Sequence, residues 1–224
     1  ESGNVLLNRI LGAVMHTYPK GEDEAGADAN LRLIAEQLGE AGKKPYIIPL
    51  APGHPPLGAL GYVRAAGEIL DQLADTHYPI DEIVVASGSG NTHAGLLFGL
   101  RALDSDIAVT GVCVRRNRKA QLARITTRCQ EIAALLETES PVQRQDIQLT
   151  DDTFAPGYGH LNDATHEAIS LCARLEGLLL DPVYTGKSMA ACLKLARNTG
   201  KNKSILFIHT GGIPGIFAYR DSLI

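Results

Sequence analysis

Short apolar runs alternate with longer amphipathic segments over most of this 224-residue chain. Three of the runs, residues 81–87, 107–114 and 204–212, lack the alternation of polar and apolar side chains that marks a half-exposed strand. Strands that are apolar on both faces are typical of parallel sheets covered by helices. We therefore predict an α/β fold with an open, mostly parallel sheet and helices on both faces.

The amphipathic segments and two shorter apolar runs complete the predicted elements. Apolar side chains recur at helical spacing in residues 4–13, 22–44, 59–75, 94–103, 119–137, 163–180 and 187–200. Gly42 and Gly200 are expected to end two of these helices. Residues 13–18 and 45–50 are predicted to be further strands, with a loop over 51–58.

Composition argues against a nucleic-acid-binding protein. The formal net charge is −4 and the sequence has no long basic run. Residues 115–119 (RRNRK) form the densest basic stretch, which we interpret as a solvated helix start, with an anion-binding patch as the alternative. Because tryptophan is absent and aromatic residues make up only 5% of the chain, the core is expected to be aliphatic.

The cysteines and the hydropathy indicate the cellular compartment of such a chain. Four cysteines are present without a CxxC pair, and no His/Cys cluster has the spacing of a metal site. We therefore expect buried thiols, no metal and a reducing, cytoplasmic compartment. No apolar window is long enough for a transmembrane helix, and no signal peptide is recognised, so we expect no membrane partner.

The loop GSGNTH, residues 88–93, lies between a buried strand and a helix. A helix N-terminus has free N–H groups and a partial positive charge, and glycines let the backbone approach a phosphate closely. The hydroxyl groups of Ser87, Ser89 and Thr92 could add donors. The pattern lacks the lysine of a P-loop, so it predicts a phosphate site of another kind, or alternatively a plain tight turn.

Two more glycine-rich stretches, residues 155–162 and 208–215, follow later in the chain. Ligands of doubly wound sheets bind at the carboxyl ends of the strands. We therefore expect the three glycine-rich stretches to converge on one pocket.

Together, ASGSGNTHAGLLFGL, PGYGHLN, DPVYTGKSMA and ILFIHTGGIPGIFAY resemble the D-cysteine desulfhydrase / 1-aminocyclopropane-1-carboxylate (ACC) deaminase family. The similarity extends over essentially the whole chain. It implies a pyridoxal-phosphate (PLP) enzyme of the tryptophan-synthase-β-like fold, also called fold type II. It also implies a small amino-acid substrate and a homodimer in the complete protein.

The resemblance implies a role for each matching residue. The cofactor phosphate would be held by Gly88, Ser89, Gly90, Asn91 and Thr92, mostly through backbone N–H groups. Two tyrosines would face the substrate as catalytic residues, and two threonines would contact the cofactor: Tyr158, Tyr184, Thr185 and Thr210. From the residues alone, the tyrosines could instead be packing groups, and Thr185 could be a helix cap.

Thr185 and Thr210 favour one reaction within the family. Thr185 matches the partner of the pyridine nitrogen, where deaminase members carry an acidic residue, and Thr210 stands where they carry leucine. A neutral partner makes the cofactor ring a weaker electron sink, which β-elimination of a thiolate tolerates better than cyclopropane opening does. The resemblance thus implies a carbon–sulfur lyase that converts D-cysteine to pyruvate, hydrogen sulfide and ammonia. The alternatives are ACC deaminase, a lyase for another β-substituted amino acid such as cysteate, and a non-catalytic PLP- or phosphate-binding domain.

One part of the family pattern does not occur in this sequence. The Schiff-base lysine of the family belongs to a motif like Gly-Gly-Asn-Lys, followed by a Ser-Asn-His segment, and neither is found here. Lys187 matches a helix-start lysine of the family instead. We therefore expect a fragment with the N-terminal part missing, inactive as given. Residues 1–50 would be the remainder of the smaller, cofactor-covering domain, and residues 51–224 the large PLP-binding domain.

Overall fold

The computed structural model describes residues 1–18, 24–49, 53–76, 78–199 and 203–224. Two compact units divide the chain, one made of residues 1–7 and 56–224 and the other of residues 8–55. The helices are α1 (Gly3–Ile10), α2 (Glu24–Glu40), α3 (Leu57–Thr76), α4 (Asn91–Ala102), α5 (Arg118–Leu135), α6 (Asp163–Glu176), α7 (Thr185–Thr199) and α8 (Arg220–Leu223). The predicted domain functions of residues 1–50 and 51–224 stay predictions.

The larger unit is built on one parallel sheet. Its strands are β1 (Glu82–Ser87), β2 (Ala108–Cys113), β3 (Gln148–Thr150) and β4 (Ile205–Phe207), in the order β3-β2-β1-β4. Every neighbouring pair in this sheet is parallel. The predicted α/β class and the parallel sheet are therefore confirmed.

Side-chain alternation along β1 separates two apolar cores. Ile83 and Val85 pack into a core shared with α3, α4 and α5, whereas Val84 packs into a second core with α6 and α7. Successive side chains of a strand point to opposite faces, so Ser87 lies on the same face as Ile83 and Val85. All four cysteines are buried and none forms a disulfide.

Helix α4 packs very closely against α3. A Cβ atom added to Gly95 would lie 2.4 Å from the carbonyl oxygen of Ala59, and one added to Gly99 would lie 2.4 Å from that of Val63. Both distances are far below van der Waals contact, so only glycine fits at these two positions. This close packing fixes the N-terminus of α4 at the carboxyl end of β1.

The unit made of residues 8–55 contains α2, and two predicted strands are absent from its described residues. Residues 13–18 and 45–49 form no strand, and Leu50 lies outside the described residues. An extended segment becomes a strand only when its backbone groups pair with a neighbour, and neither segment has such a partner in the described part of the chain. Tyr46 and Ile48 are accordingly 79% and 71% exposed.

Local backbone geometry shifts several predicted boundaries in the larger unit. The strand predicted over 204–212 spans only Ile205–Phe207, although the Ile208 N–H still bonds the Val84 carbonyl oxygen at 3.0 Å. Gly211 and Gly212 then turn the chain with φ of 95° and 88°. The helix predicted over 163–180 ends at Glu176, because Gly177 is left-handed with φ of 64°. The helix end predicted at Gly200 lies outside the described residues. Within those residues, no helix has the length and hydropathy needed to cross a bilayer.

Candidate active site

The loop between β1 and α4 leaves the N-cap position of the helix without a side chain, while the neighbouring Ser89 Oγ accepts a hydrogen bond from the Asn91 N–H at 3.4 Å. Gly90 precedes α4 with φ of 93°, a left-handed conformation that favours glycine. No side chain caps α4 at this residue. The N–H groups of a first helical turn have no intrahelical acceptor, so an uncapped helix start is suited to an anion.

Side chains from the start of α5 bind the carbonyl groups of this loop. Arg116 Nη1 donates to the Gly88 carbonyl oxygen at 2.6 Å, and Gln121 Nε2 is 3.3 Å from the same atom. Arg124 Nε donates to the Ser89 carbonyl oxygen at 2.9 Å. The interpretation of residues 115–119 as a solvated helix start is wrong at its first two positions. Residues 117–119 are exposed, but Arg115 and Arg116 are partly buried against the site.

Ser87 faces the protein interior rather than a ligand. Its hydroxyl accepts a hydrogen bond from Gln121 Nε2 at 2.7 Å and lies 3.2 Å from His93 Nδ1. The side chain is completely buried, because the strand alternation turns it toward α4 and α5. Ser87 is therefore not available as a phosphate donor, and that suggestion from the sequence is wrong.

His93 is buried beneath the loop in the space that Gly111 leaves. A Cβ atom at Gly111 would lie 2.2 Å from His93 Nδ1. Burial lowers the pKa of His93 to about 4, against a smaller opposing effect from the backbone of Val109. His93 is thus a neutral, structural histidine at physiological pH.

The two predicted catalytic tyrosines are in direct contact. The hydroxyl oxygens of Tyr158 and Tyr184 are 2.5 Å apart, and their rings meet edge to face with centroids 6.0 Å apart. The Arg115 guanidinium lies 5.2 Å from the centroid of the Tyr158 ring. Burial, followed by the hydrogen bond with Tyr158, raises the pKa of Tyr184 above its usual range. Tyr184 is therefore protonated at neutral pH.

Asp181 determines the backbone conformation around Tyr184. Its buried carboxylate accepts from the N–H groups of Val183, Tyr184 and Thr185 at 2.8, 2.9 and 2.8 Å. The Thr185 hydroxyl donates to Asp181 Oδ1 at 2.7 Å and accepts from the Asp181 N–H at 2.8 Å. These bonds start α7 at Thr185 and engage the only hydrogen of its hydroxyl.

Lys187 and Tyr219 hold the turn that carries Tyr158. The completely buried Lys187 donates from Nζ to the carbonyl oxygens of Phe154 and Gly157 at 2.8 and 2.9 Å. Burial lowers the pKa of Lys187. On the other side of the turn, Tyr219 Oη donates to the Gly159 carbonyl oxygen at 2.5 Å. These bonds hold the backbone on both sides of Tyr158, in addition to the contacts that its ring makes with Tyr184 and Arg115.

A cavity of about 240 Å³ lies at the carboxyl end of β1. It is lined by Ala86, Gly88, Ser89, Thr92, Tyr184, Thr210, Gly211 and Gly212. Residues of the first and third glycine-rich stretches thus line one cavity. Tyr158, from the second stretch, contacts the lining residue Tyr184. Gly90 and Asn91 continue the loop, whereas Thr185 is not among the lining residues. No group of acidic, histidine or cysteine side chains suited to a metal occurs among the described residues.

Sequence reasoning missed the residues behind the cavity. Arg115, Arg116, Gln121 and Arg124 act on residues that are far from them in sequence, and they form no motif of their own. The RRNRK stretch was the available signal, since arginines next to the carboxyl end of a strand are close to a predicted anion site.

Comparison with known proteins agrees with this geometry. The family model of pyridoxal-phosphate dependent enzymes matches residues 1–211. D-cysteine desulfhydrases of Salmonella paratyphi C and Salmonella typhi are 46% and 45% identical over 216 residues, which is 95% of this chain. The chain spans 64% of the length of these relatives.

Solved structures give the same result for the fold. A crystal structure described as an ACC deaminase homologue has a TM-score of 0.85 and 40% identity, covering 99% of this chain and 66% of its own. An O-ureido-L-serine synthase mutant with bound O-ureido-L-serine has a TM-score of 0.63 at 18% identity and covers 97% of this chain and 62% of its own, so it supports the fold alone. The predicted resemblance is confirmed, and the chain belongs to the family of pyridoxal-phosphate dependent enzymes.

Proposed function

We propose that the cavity binds the phosphate end of pyridoxal phosphate. A Cβ atom at Gly88 would lie 3.6 Å from Tyr184 Cε1, so this glycine keeps open the space between the loop and Tyr184. The uncapped start of α4 supplies donors for the phosphate. The residues of the cavity fit the cofactor, and Ser89, Gly90, Asn91 and the Thr92 hydroxyl would hold its phosphate group.

The threonines and tyrosines are proposed to act on the rest of the cofactor and on the substrate. When bound, pyridoxal phosphate supplies the electron sink for breaking bonds at the substrate's α-carbon. Thr210 lines the cavity and would contact the ring. Thr185 would meet the pyridine nitrogen only after its hydroxyl leaves Asp181. The protonated Tyr184, paired with Tyr158, would hold or donate a proton at the substrate.

We infer that the complete protein is a carbon–sulfur lyase that converts D-cysteine and water to pyruvate, hydrogen sulfide and ammonia. The observation that carries this proposal is the tyrosine pair beside a glycine-rich loop, in a cavity that hydroxyl groups line and acidic side chains do not. The similarity to D-cysteine desulfhydrases over 95% of the chain supports it. A homodimer and a cytoplasmic location belong to the same proposal.

Two other functions have specific support. ACC deaminase activity, or a lyase reaction on cysteate or a similar amino acid, is favoured by the 40% identity to the ACC deaminase homologue. A non-catalytic PLP- or phosphate-binding role is consistent with the cavity, whose lining residues include no lysine. The reading frame around this chain in its gene distinguishes the latter from the enzyme, since an upstream Gly-Asn-Lys motif would indicate a lyase.

Product analysis tests the proposed reaction. The complete gene product, supplied with pyridoxal phosphate, is incubated separately with D-cysteine, L-cysteine, cysteate and ACC. We expect pyruvate and sulfide in equal amounts from D-cysteine and little 2-oxobutyrate from ACC. Formation of 2-oxobutyrate without sulfide would identify a deaminase instead, and no turnover of any substrate would favour the binding domain.

A further inference from the structure

Two successive carbonyl groups of the phosphate loop are bound by side chains from one side. Arg116 and Gln121 bind the Gly88 carbonyl oxygen at 2.6 and 3.3 Å, and Arg124 binds that of Ser89 at 2.9 Å. All three side chains come from the segment that begins α5, 28 to 35 residues further along the chain. One side of the loop, which we call the held side, is therefore hydrogen-bonded to these three side chains, and the opposite side, the free side, is not.

Peptide geometry determines what the free side presents. The C=O and N–H of a trans peptide unit point in opposite directions. Because the carbonyls of Gly88 and Ser89 point toward the arginines, the N–H groups of Ser89 and Gly90 point away from them. Within the described part of the chain, neither N–H group has a hydrogen-bond acceptor. Two adjacent donors thus point away from the held side, immediately before the N-terminus of α4.

The holding side chains are themselves fixed. Gln121 is completely buried, and its Nε2 also donates to Ser87 Oγ at 2.7 Å. Gln121 Oε1 accepts from Arg116 Nη1 at 3.1 Å. Asn117 caps α5 by accepting from the Ala120 N–H, which fixes the first helical turn, where Gln121 lies. The three side chains therefore form a prearranged support instead of a set of mobile surface cations.

The two guanidinium groups also make the electrostatic potential of the loop more favourable for an anion. Carbonyl oxygens carry partial negative charge and would repel a phosphate if they turned into the cavity. Charge-assisted hydrogen bonds from arginine are stronger than neutral ones, so they oppose such a peptide flip. The positive charges additionally lie behind the loop and favour an anion in front of it.

We propose that Arg116, Gln121 and Arg124 are positioning residues of the phosphate site, which turn the Ser89 and Gly90 N–H groups toward the anion without touching it. This inference depends on the proposed binding of the cofactor phosphate. It extends that proposal by naming the residues that create the geometry of the loop.

The test compares two vitamers that differ only in the phosphate. Pyridoxine 5′-phosphate and pyridoxine lack the aldehyde, so their binding needs no lysine, and their dissociation constants can be measured by titration calorimetry on the complete gene product without pyridoxal phosphate. The variants are Arg124→Met, Arg116→Met and Arg124→Lys, with Arg118→Met as a matched control. Arg118 is exposed and also on α5, so its variant removes the same charge without altering the loop.

For the wild-type chain we expect pyridoxine 5′-phosphate to bind more tightly than pyridoxine. Arg124→Met and Arg116→Met should each weaken the phosphate form about tenfold, leave pyridoxine unchanged and retain a cooperative thermal transition. Arg124→Lys should recover part of the loss, because an ammonium can still bind the Ser89 carbonyl. Arg118→Met should behave like the wild type.

Two results would overturn the inference, and they differ from each other. If the wild type prefers the phosphate form and both methionine variants keep that preference, the loop does not depend on these side chains. If the wild type shows no preference for the phosphate form, the proposed phosphate site itself is wrong.

Discussion

Gly88 and Gly90 lack a side chain for different physical reasons. Gly90 has φ of 93°, a conformation that costs an L-residue about 1–2 kcal/mol. Gly88 has no such φ, and a Cβ atom there would make ordinary contacts, at 3.4 Å from Val114 Cγ2 and 3.6 Å from Tyr184 Cε1. We therefore propose that Gly88 leaves room for the ligand, whereas the backbone conformation of Gly90 is what requires glycine there.

Alanine substitutions separate these two roles. We expect Gly88→Ala to weaken pyridoxine 5′-phosphate binding clearly while the melting temperature stays near that of the wild type. Gly90→Ala should instead lower the free energy of unfolding by about 1–2 kcal/mol. Calorimetric titration and urea unfolding measure both quantities. Normal affinity in Gly88→Ala would show that the cavity wall is misassigned.

Removal of one hydroxyl tests the tyrosine pair. In the complete protein, Tyr184→Phe keeps the ring and loses only the hydroxyl that contacts Tyr158. Since general acid–base groups contribute about 100- to 10,000-fold to rate, we expect turnover of D-cysteine to fall by at least the lower figure, with little change in melting temperature. A variant with unchanged turnover would return Tyr184 to a packing role.

At this scale, motifs in the sequence indicated candidate site residues, whose roles stay predictions, but did not indicate the residues that support them. The loop from Gly88 to Thr92 and both tyrosines belong to continuous stretches with recognisable composition. The bonds from Arg116 and Arg124 to loop carbonyls exist only once α5 has packed beside α4. Ser87 was misread because its contacts depend on which face of β1 it occupies.

At the scale of elements, α7 connects the two segments of the candidate site that carry Tyr158 and Tyr184. Asp181 starts the helix and positions Tyr184, while Lys187, on the same helix, holds the turn that carries Tyr158. The helices and central strands were predictable because their apolar spacing is long and regular. The strands over 13–18 and 45–50 were not, since a short apolar run becomes a strand only when a partner is present.

Lys187→Met tests this connection. Methionine has a similar length but cannot donate, so the carbonyls of Phe154 and Gly157 lose a buried partner. Each unsatisfied buried group costs about 1–3 kcal/mol, and we expect the free energy of unfolding to fall by about 2 kcal/mol or more. The exposed Lys194→Met is the control, with a change of less than about 1 kcal/mol. Equal stability of the two variants would contradict the proposed role.

At the scale of the whole molecule, His93 links stability to pH. Its pKa of about 4 in the folded protein lies below the value of about 6.5 in an unfolded chain. The unfolded state therefore binds a proton first as the pH falls, and stability is lost between about pH 6.5 and pH 4. This loss amounts to about 3 kcal/mol.

His93→Gln should remove that part of the acid sensitivity. The comparison is the free energy of unfolding of wild type and variant from pH 7.5 to pH 4, measured by urea denaturation. We expect the wild type to lose about 3 kcal/mol more than the variant over this range. Parallel curves for the two proteins would mean that His93 is accessible and titrates normally when folded.

The most direct test of the account is a crystal structure of the complete gene product with 4′-deoxypyridoxine 5′-phosphate. This analogue carries the ring and the phosphate but cannot react with a lysine. We predict phosphate oxygens within hydrogen-bonding distance of the Ser89 and Gly90 N–H groups, with the ring beside Tyr184 and Thr210 and the carbonyls of Gly88 and Ser89 still bound to Arg116 and Arg124. A phosphate bound outside the loop from Gly88 to Thr92 would contradict the proposed site.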